Sequence, residues 1–361
     1  MSELNMRPID PNRLLPNLDG FRALACMLVL ASHLPLPVAS KMTGLIGSTG
    51  VGLFFTLSGF LMGHLYGTRN WTLQQAVQYG IARFSRIAPI YWAVITLCVI
   101  LSYLIADPAF EMRIQGVSQI ARHYLFGGSV SIFWSISPEV QYYVFFVFVW
   151  WALASWRKVP AVLSLLAGIC VLLLLTHNAW PGLSLPNKLH FFLFGTLAGM
   201  LPRVQPATRS EVNGIAAMQV VALVLVFGLF FFYPEKDLLY SNVEVGLLYA
   251  FAIYAISFST PWSAMVFANA PMRRVGHASF SIYLLHILVY YFLGNALGLD
   301  RKVFEPLWIV VALMGLAIPM LVSHFIEIPL QRVVRNLLEN RVLHRVGRFK
   351  PAPVSQTSAT I

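Results

Sequence analysis

The sequence predicts an all-α polytopic integral membrane protein with about ten transmembrane helices and both termini cytoplasmic. Three observations carry this. Of 361 residues, 58% are hydrophobic and only 11% charged, and the mean hydropathy is +0.71. A soluble domain carries about 25% charged residues, so this chain cannot clothe itself in polar surface. Its apolar residues also come in long runs that do not alternate. In lipid only helices or a closed barrel satisfy every backbone group, and unbroken runs select helices. Finally, Lys and Arg concentrate in every second connection, the pattern of a chain threaded back and forth across a membrane.

Length and apolarity place the spans near 18–35, 50–66, 87–106, 133–153, 160–177, 188–201, 214–233, 243–260, 279–297 and 305–327. Ten spans put both ends on one side. The connections holding Arg69, Arg157, Arg203, Arg273 and the arginines after residue 330 are the basic set, and that side is expected to be cytoplasmic. Residues 1–17 then form a cytoplasmic leader and 18–329 the membrane domain. Residues 330–361 form a basic amphipathic tail suited to an anionic leaflet, with its end disordered. No cleavable signal peptide or attached soluble domain is expected. The net charge of +11 is explained by basic cytoplasmic loops and does not call for nucleic acid. Cys26, Cys98 and Cys170 each sit in an apolar run with no metal-ligand spacing, so free thiols are expected and a metal is not.

Ionisable groups at membrane depth are costly and point to function. The first span, FRALACMLVLASHL, places Arg22 and His33 eleven residues apart. Eleven steps of about 100° return nearly to the starting angle, so both share one helical face, roughly 16 Å apart. Each could instead snorkel to its own surface. Cys26 and Val29 lie between them on that face. In GVGLFFTLSGFLMGHLYG, Gly52, Ser58, Gly59 and Gly63 permit close helix approach, and His64 falls at the inner interface. In IARFSRIAPIYW, Arg83 and Arg86 share a face at the cytoplasmic mouth of the third span. Two guanidiniums there suit phosphate or serve as ordinary loop charge. FWSISPEVQYYVFF opens the fourth span on the outer side with Glu139, which meets water or faces a polar cavity. Trp134, Tyr142 and Tyr143 form an interfacial belt or a wall for stacking sugars. Later spans carry His286, then His324 and Glu327 at i, i+3, close enough for mutual support.

Taken in order, these stretches resemble the membrane-bound acyltransferase family 3, the bacterial O-acyltransferases of surface polysaccharides. NLDGFRALACMLVLASH resembles its opening signature with Arg-x10-His spacing. GVGLFFTLSGFLM and ARFSRIAPIYW resemble its second-span motif and its Arg-x-x-Arg motif. FWSISPEVQYY resembles its Trp-Ser-x-Ser-x-Glu signature, and SFSIYLLH and EIPLQR its late-span motifs. Two positions depart from the pattern: Pro138 precedes the Glu, and Gly52 stands where many members have Asp.

The resemblance implies a bacterial inner-membrane enzyme that moves an acyl group, usually acetyl, from cytoplasmic acetyl-CoA to a carbohydrate hydroxyl. Exopolysaccharide is the expected acceptor, and polysaccharide assembly machinery a possible partner. It implies that Arg22, Arg83 and Arg86 hold the donor and that His33 is the general base, with an acetyl-His33 intermediate as the alternative route. Glu139 would orient His33 or bind the sugar. Trp134, Ser137 and Tyr142 would contact the acceptor. Two other readings fit the same residues: a secondary transporter or polysaccharide flippase, and an acyltransferase for a small molecule such as a macrolide.

Overall fold

The structure is a computed structural model that describes residues 15–38, 40–203, 206, 208–233 and 235–343. Most of the expected leader and the end of the expected tail lie outside the described residues. Among the described residues every regular element is a helix. In chain order the α-helices are α1 (Pro16–Ser32), α2 (Ser40–Tyr66), α3 (Leu73–Leu104), α4 (Val117–Tyr124), α5 (Ile136–Ser155), α6 (Pro160–Leu175), α7 (Leu185–Met200) and α8 (Arg209–Phe232). There follow α9 (Lys236–Ser241), α10 (Val243–Ser257), α11 (Pro261–Phe267), α12 (Ala270–His277), α13 (Ser279–Ala296), α14 (Leu307–Val322) and α15 (Ile328–Leu338).

A helix stands at each of the ten places expected for a span. Six are long and apolar enough to cross a membrane, or seven if the bent pair α10–α11 counts as one. The helices α1, α6 and α7, of 17, 16 and 16 residues, are shorter than the usual span. Large apolar side chains such as Leu104, Leu175, Phe231 and Phe232 lie largely exposed. Water would not tolerate so much of this surface, and the molecule is a multi-pass membrane protein. The three cysteines are free and buried, as expected.

The helices form two compact units. The first takes in residues up to Asn70, Phe148–Gly276 and Arg301–Phe304. Its centre is the parallel pair α2 and α7. A Cβ on Gly59 would lie 2.0 Å from the Phe192 carbonyl oxygen, one on Gly63 2.1 Å from that of Thr196, and one on Gly199 2.1 Å from that of Phe60. No side chain fits there, so the two backbones touch. Lipid supplies no hydrophobic drive between helices, and such close packing supplies the contact instead. The Thr196 hydroxyl adds a bond to the Gly59 carbonyl at 3.0 Å. Antiparallel to α2 runs α1, whose Ala25 and Val29 cover Gly50.

Between α10 and α11 the chain bends by 106°, which strips carbonyls of their helical partners. Inside a membrane protein those groups need replacements. Two buried amides provide them. Asn17 donates to the Ile256 and Phe258 carbonyls at 3.1 and 2.8 Å, and Gln219 to those of Ala255 and Phe258 at 3.0 and 2.9 Å.

The second unit takes in Trp71–Val147, His277–Asp300 and the residues from Glu305 onward. Its long helix α3 begins at the Thr72 cap, whose hydroxyl accepts from the Gln75 amide at 3.2 Å. That start lies well before the expected onset of the third span, because apolarity marks only the lipid-facing part of a helix. The antiparallel pair α13 and α14 packs Trp308 on Gly294 and Tyr290 on Gly315. Beyond α14 a π-helical turn, Ser323–Glu327, leads into α15.

Candidate active site

Within the second unit, Arg83 and Arg86 lie inside α3 rather than at its mouth, and they face other polar groups. The Arg83 guanidinium stands over the rings of Tyr79 and Tyr143, at 5.9 and 5.7 Å. The Tyr79 hydroxyl donates to the Tyr143 carbonyl at 3.1 Å, which fixes α5 against α3. The Tyr143 hydroxyl donates to Glu139 Oε1 at 2.6 Å. Read from sequence, Glu139 and the arginine pair belong at opposite ends of their spans. In the unit a single tyrosine links them. The Tyr79–Tyr143 bond accounts for this, since it sets α3 against α5 so that Arg83, one turn on from Tyr79, meets the Tyr143 ring.

Arg86 acts electrostatically on Tyr143 and also on Glu327. Glu327 is buried, and its Oε2 accepts from the Ser281 hydroxyl at 2.5 Å. The i, i+3 support expected between His324 and Glu327 does not form: His324 is exposed while Glu327 points inward. An α-helix would place them on one face, but the π-helical turn underwinds the chain and rotates them apart. Turns of this kind are frequent at functional sites. Glu327 stands out in the sequence as an ionisable group in HFIEIPLQR, but the spacing gives it no role beside the arginine pair.

The three expected acceptor contacts have different settings. Trp134, on a 3₁₀ turn Ser131–Ser135, is half-buried. Ser137 is buried, and its Oγ accepts from Gln141 at 2.9 Å. Tyr142 is fully buried, with its ring 6.1 Å from that of Phe146. Nearby, Ser135 bonds the Tyr283 hydroxyl at 2.7 Å, joining the start of α5 to α13.

The first unit holds Arg22 and His33. Arg22 is buried on α1, and His33 is exposed just past its end. The face between them is packed: Cys26 and Val29 are buried, and Val29 lies on Gly50 of α2. His33 Nδ1 sits 2.9 Å from the Val29 carbonyl oxygen, with Ser32 Oγ at 3.3 Å. A carbonyl only accepts, so Nδ1 carries the proton and the neutral ring has its lone pair on Nε2. This is the tautomer a base acting through Nε2 needs. Gly52, where the resembled pattern often has Asp, is met by Tyr249, whose Cε2 would lie 2.5 Å from a Cβ there. The Tyr249 hydroxyl reaches Thr49 at 3.2 Å. Among the described residues no His, Cys, Asp and Glu cluster suits a metal ion.

A family model described as an acyltransferase domain matches residues 15–324. The peptidoglycan O-acetyltransferase OatA of Listeria monocytogenes is 27% identical over 313 residues, covering 75% of this chain and 49% of the relative. A provisionally named O-acetyltransferase of Staphylococcus aureus is 23% identical over 325 residues, 78% of this chain and 52% of the relative. YrhL of Bacillus subtilis, provisionally named a peptidoglycan O-acetyltransferase, is 24% identical over 387 residues, 95% of this chain and 59% of the relative. The chain thus spans about half the length of the relatives it matches. No solved structure matches.

Proposed function

We propose a function from one premise: the chain belongs to the membrane-bound acyltransferase family 3. It transfers an acetyl group from acetyl-CoA to a hydroxyl of a surface or exported polysaccharide, in the bacterial cytoplasmic membrane. The chain crosses that membrane ten times with both termini cytoplasmic. His33 is the general base, and the 2.9 Å contact of its Nδ1 with the Val29 carbonyl is the observation that carries this reading. Nε2 takes the hydroxyl proton as the oxygen attacks the thioester carbonyl. The C–O bond forms, the C–S bond breaks, and the imidazolium returns the proton to the leaving thiolate as CoA–SH.

Arg83 and Arg86 bind the phosphates of the donor. Tyr143 and Glu139 orient Arg83, and the Glu327 carboxylate orients Arg86. The buried Arg22 supplies a further cation for the donor. Trp134 offers a partly exposed ring for a sugar, while Ser137 and Tyr142 shape the wall behind it. Exopolysaccharide is the acceptor in this reading. The names of the two relatives called peptidoglycan O-acetyltransferases favour a second acceptor, the peptidoglycan glycan. Purified protein given labelled acetyl-CoA and either glycan tests both. Label reaching neither one would remove the polysaccharide reading.

A further inference from the structure

Arg203 follows the end of α7, and its side chain turns back into the first unit. The residue is 8% exposed. Its guanidinium lies over the Phe60 ring at 5.3 Å, and Nη2 donates to His64 Nδ1. Nε and Nη1 are buried and have no hydrogen-bond partner among the described residues, and no carboxylate there pairs with the cation. The Tyr254 hydroxyl also acts electrostatically on it, and that hydroxyl already donates to the Pro202 carbonyl at 2.9 Å. Because His64 Nδ1 accepts, a neutral His64 carries its proton on Nε2. The cluster thus carries a full positive charge and presents N–H groups on Arg203 Nε and Nη1.

A buried cation without a counter-charge is costly, and Arg is almost never fully buried unless paired. The packing of α2 on α7 holds the group in place, since Gly63 and Gly199 bring the two helix ends backbone to backbone on either side of His64. Those ends present carbonyls, whose partial negative charge eases the burial of the cation. The carbonyls nonetheless leave Nε and Nη1 unbonded. The cluster lies at the C-terminal ends of α2 and α7 rather than in their middles.

We propose that Arg203 and His64 form an anion site for a phosphate ester, additional to the one assigned to Arg83 and Arg86. Its phosphate comes either from a soluble nucleotide-like molecule such as coenzyme A or from an anionic lipid headgroup. The site does not rest on the acyl-transfer reading.

The test uses full-length protein carrying Arg83→Gln and Arg86→Gln, so that those arginines contribute nothing. It is reconstituted in phosphatidylcholine nanodiscs, and thermal unfolding is followed with added coenzyme A, or with phosphatidylglycerol in the disc. The midpoint is expected to rise with one of the two probes, and Arg203→Gln is expected to remove that rise. Arg203→Lys keeps the charge and should retain part of it, which separates loss of the site from loss of the fold. A rise with coenzyme A assigns a soluble phosphate, and a rise with phosphatidylglycerol a headgroup. No rise with either probe, or an equal rise when Arg203 is Gln, overturns the proposal. Should the Gln variant fail to fold, His64→Gln takes its place, with at least a threefold weaker response expected.

Discussion

Tyr143 donates a 2.6 Å hydrogen bond to Glu139, four residues earlier on α5, while its ring carries the Arg83 guanidinium at 5.7 Å. One side chain thus ties a carboxylate to an arginine of the Arg-x-x-Arg pair. Tyr143→Phe keeps the ring and removes the bond. A hydrogen bond to a charged group contributes about 1.5–3 kcal/mol. The expected outcome is an affinity for coenzyme A weaker by roughly tenfold or more, with the fold retained. Titration of purified Tyr143→Phe checks it, and unchanged affinity would detach Tyr143 from the donor site.

Glu327→Gln keeps a partner for the Ser281 hydroxyl but removes the charge acting on Arg86. Donor affinity is expected to fall while the unfolding midpoint in detergent changes little. Glu327→Leu, which also strands the Ser281 hydroxyl in a buried setting, should lower the midpoint as well, by about 1–3 kcal/mol of stability. Equal donor affinity in wild type and Glu327→Gln would leave Glu327 with a packing role only.

The pair α2 and α7 is expected to tolerate no side chain at its contact. Gly59→Ala or Gly199→Ala pushes a Cβ to within about 2 Å of a facing carbonyl oxygen. The helices must separate, at a cost of about 1–3 kcal/mol typical of overpacking. Thermal unfolding measures this directly. Gly168→Ala on α6, where a Cβ meets nothing within 4 Å, is the control and should be neutral or better.

Acid should loosen the segment before α5. His123 on α4 lies outside the candidate spans: Nδ1 bonds the Gln119 carbonyl at 2.7 Å and Nε2 accepts from the Val130 amide at 3.4 Å. Those bonds require the neutral ring, and burial lowers its pKa below the ordinary value. The unfolded chain therefore binds the proton first as pH falls. The contribution of His123 is complete above the unfolded pKa of about 6.5 and is lost progressively as pH drops toward the folded value. Thermal midpoints between pH 7.5 and 5 should fall less steeply in His123→Gln than in wild type. Identical slopes would assign acid sensitivity elsewhere.

The sequence made part of this legible. Apolar runs located the helices, and the 3.6-residue period put Arg22 and His33 on one face of α1. The Arg83 and Arg86 pair was visible as spacing. What spacing could not show is which distant groups meet them. Tyr143 meets both Arg83 and Glu139 because of how α3 packs on α5, and no spacing within either stretch shows that register. Glu327 turns inward because of one π-helical turn, and an α-helical period assigns it the wrong neighbour. The Arg203–His64 contact joins residues 139 apart, brought together by glycines whose role as a contact surface could be suspected but whose partner helix could not.

The central claim is that His33 removes the acceptor proton. Its most direct measurement is acetyl transfer from labelled acetyl-CoA to glycan by purified His33→Ala, alongside coenzyme A titration of the same sample. The account predicts transfer lower by at least the roughly 10²–10⁴-fold that a general base contributes, with donor affinity near that of wild type. Transfer at the wild-type rate by a folded His33→Ala protein would contradict it.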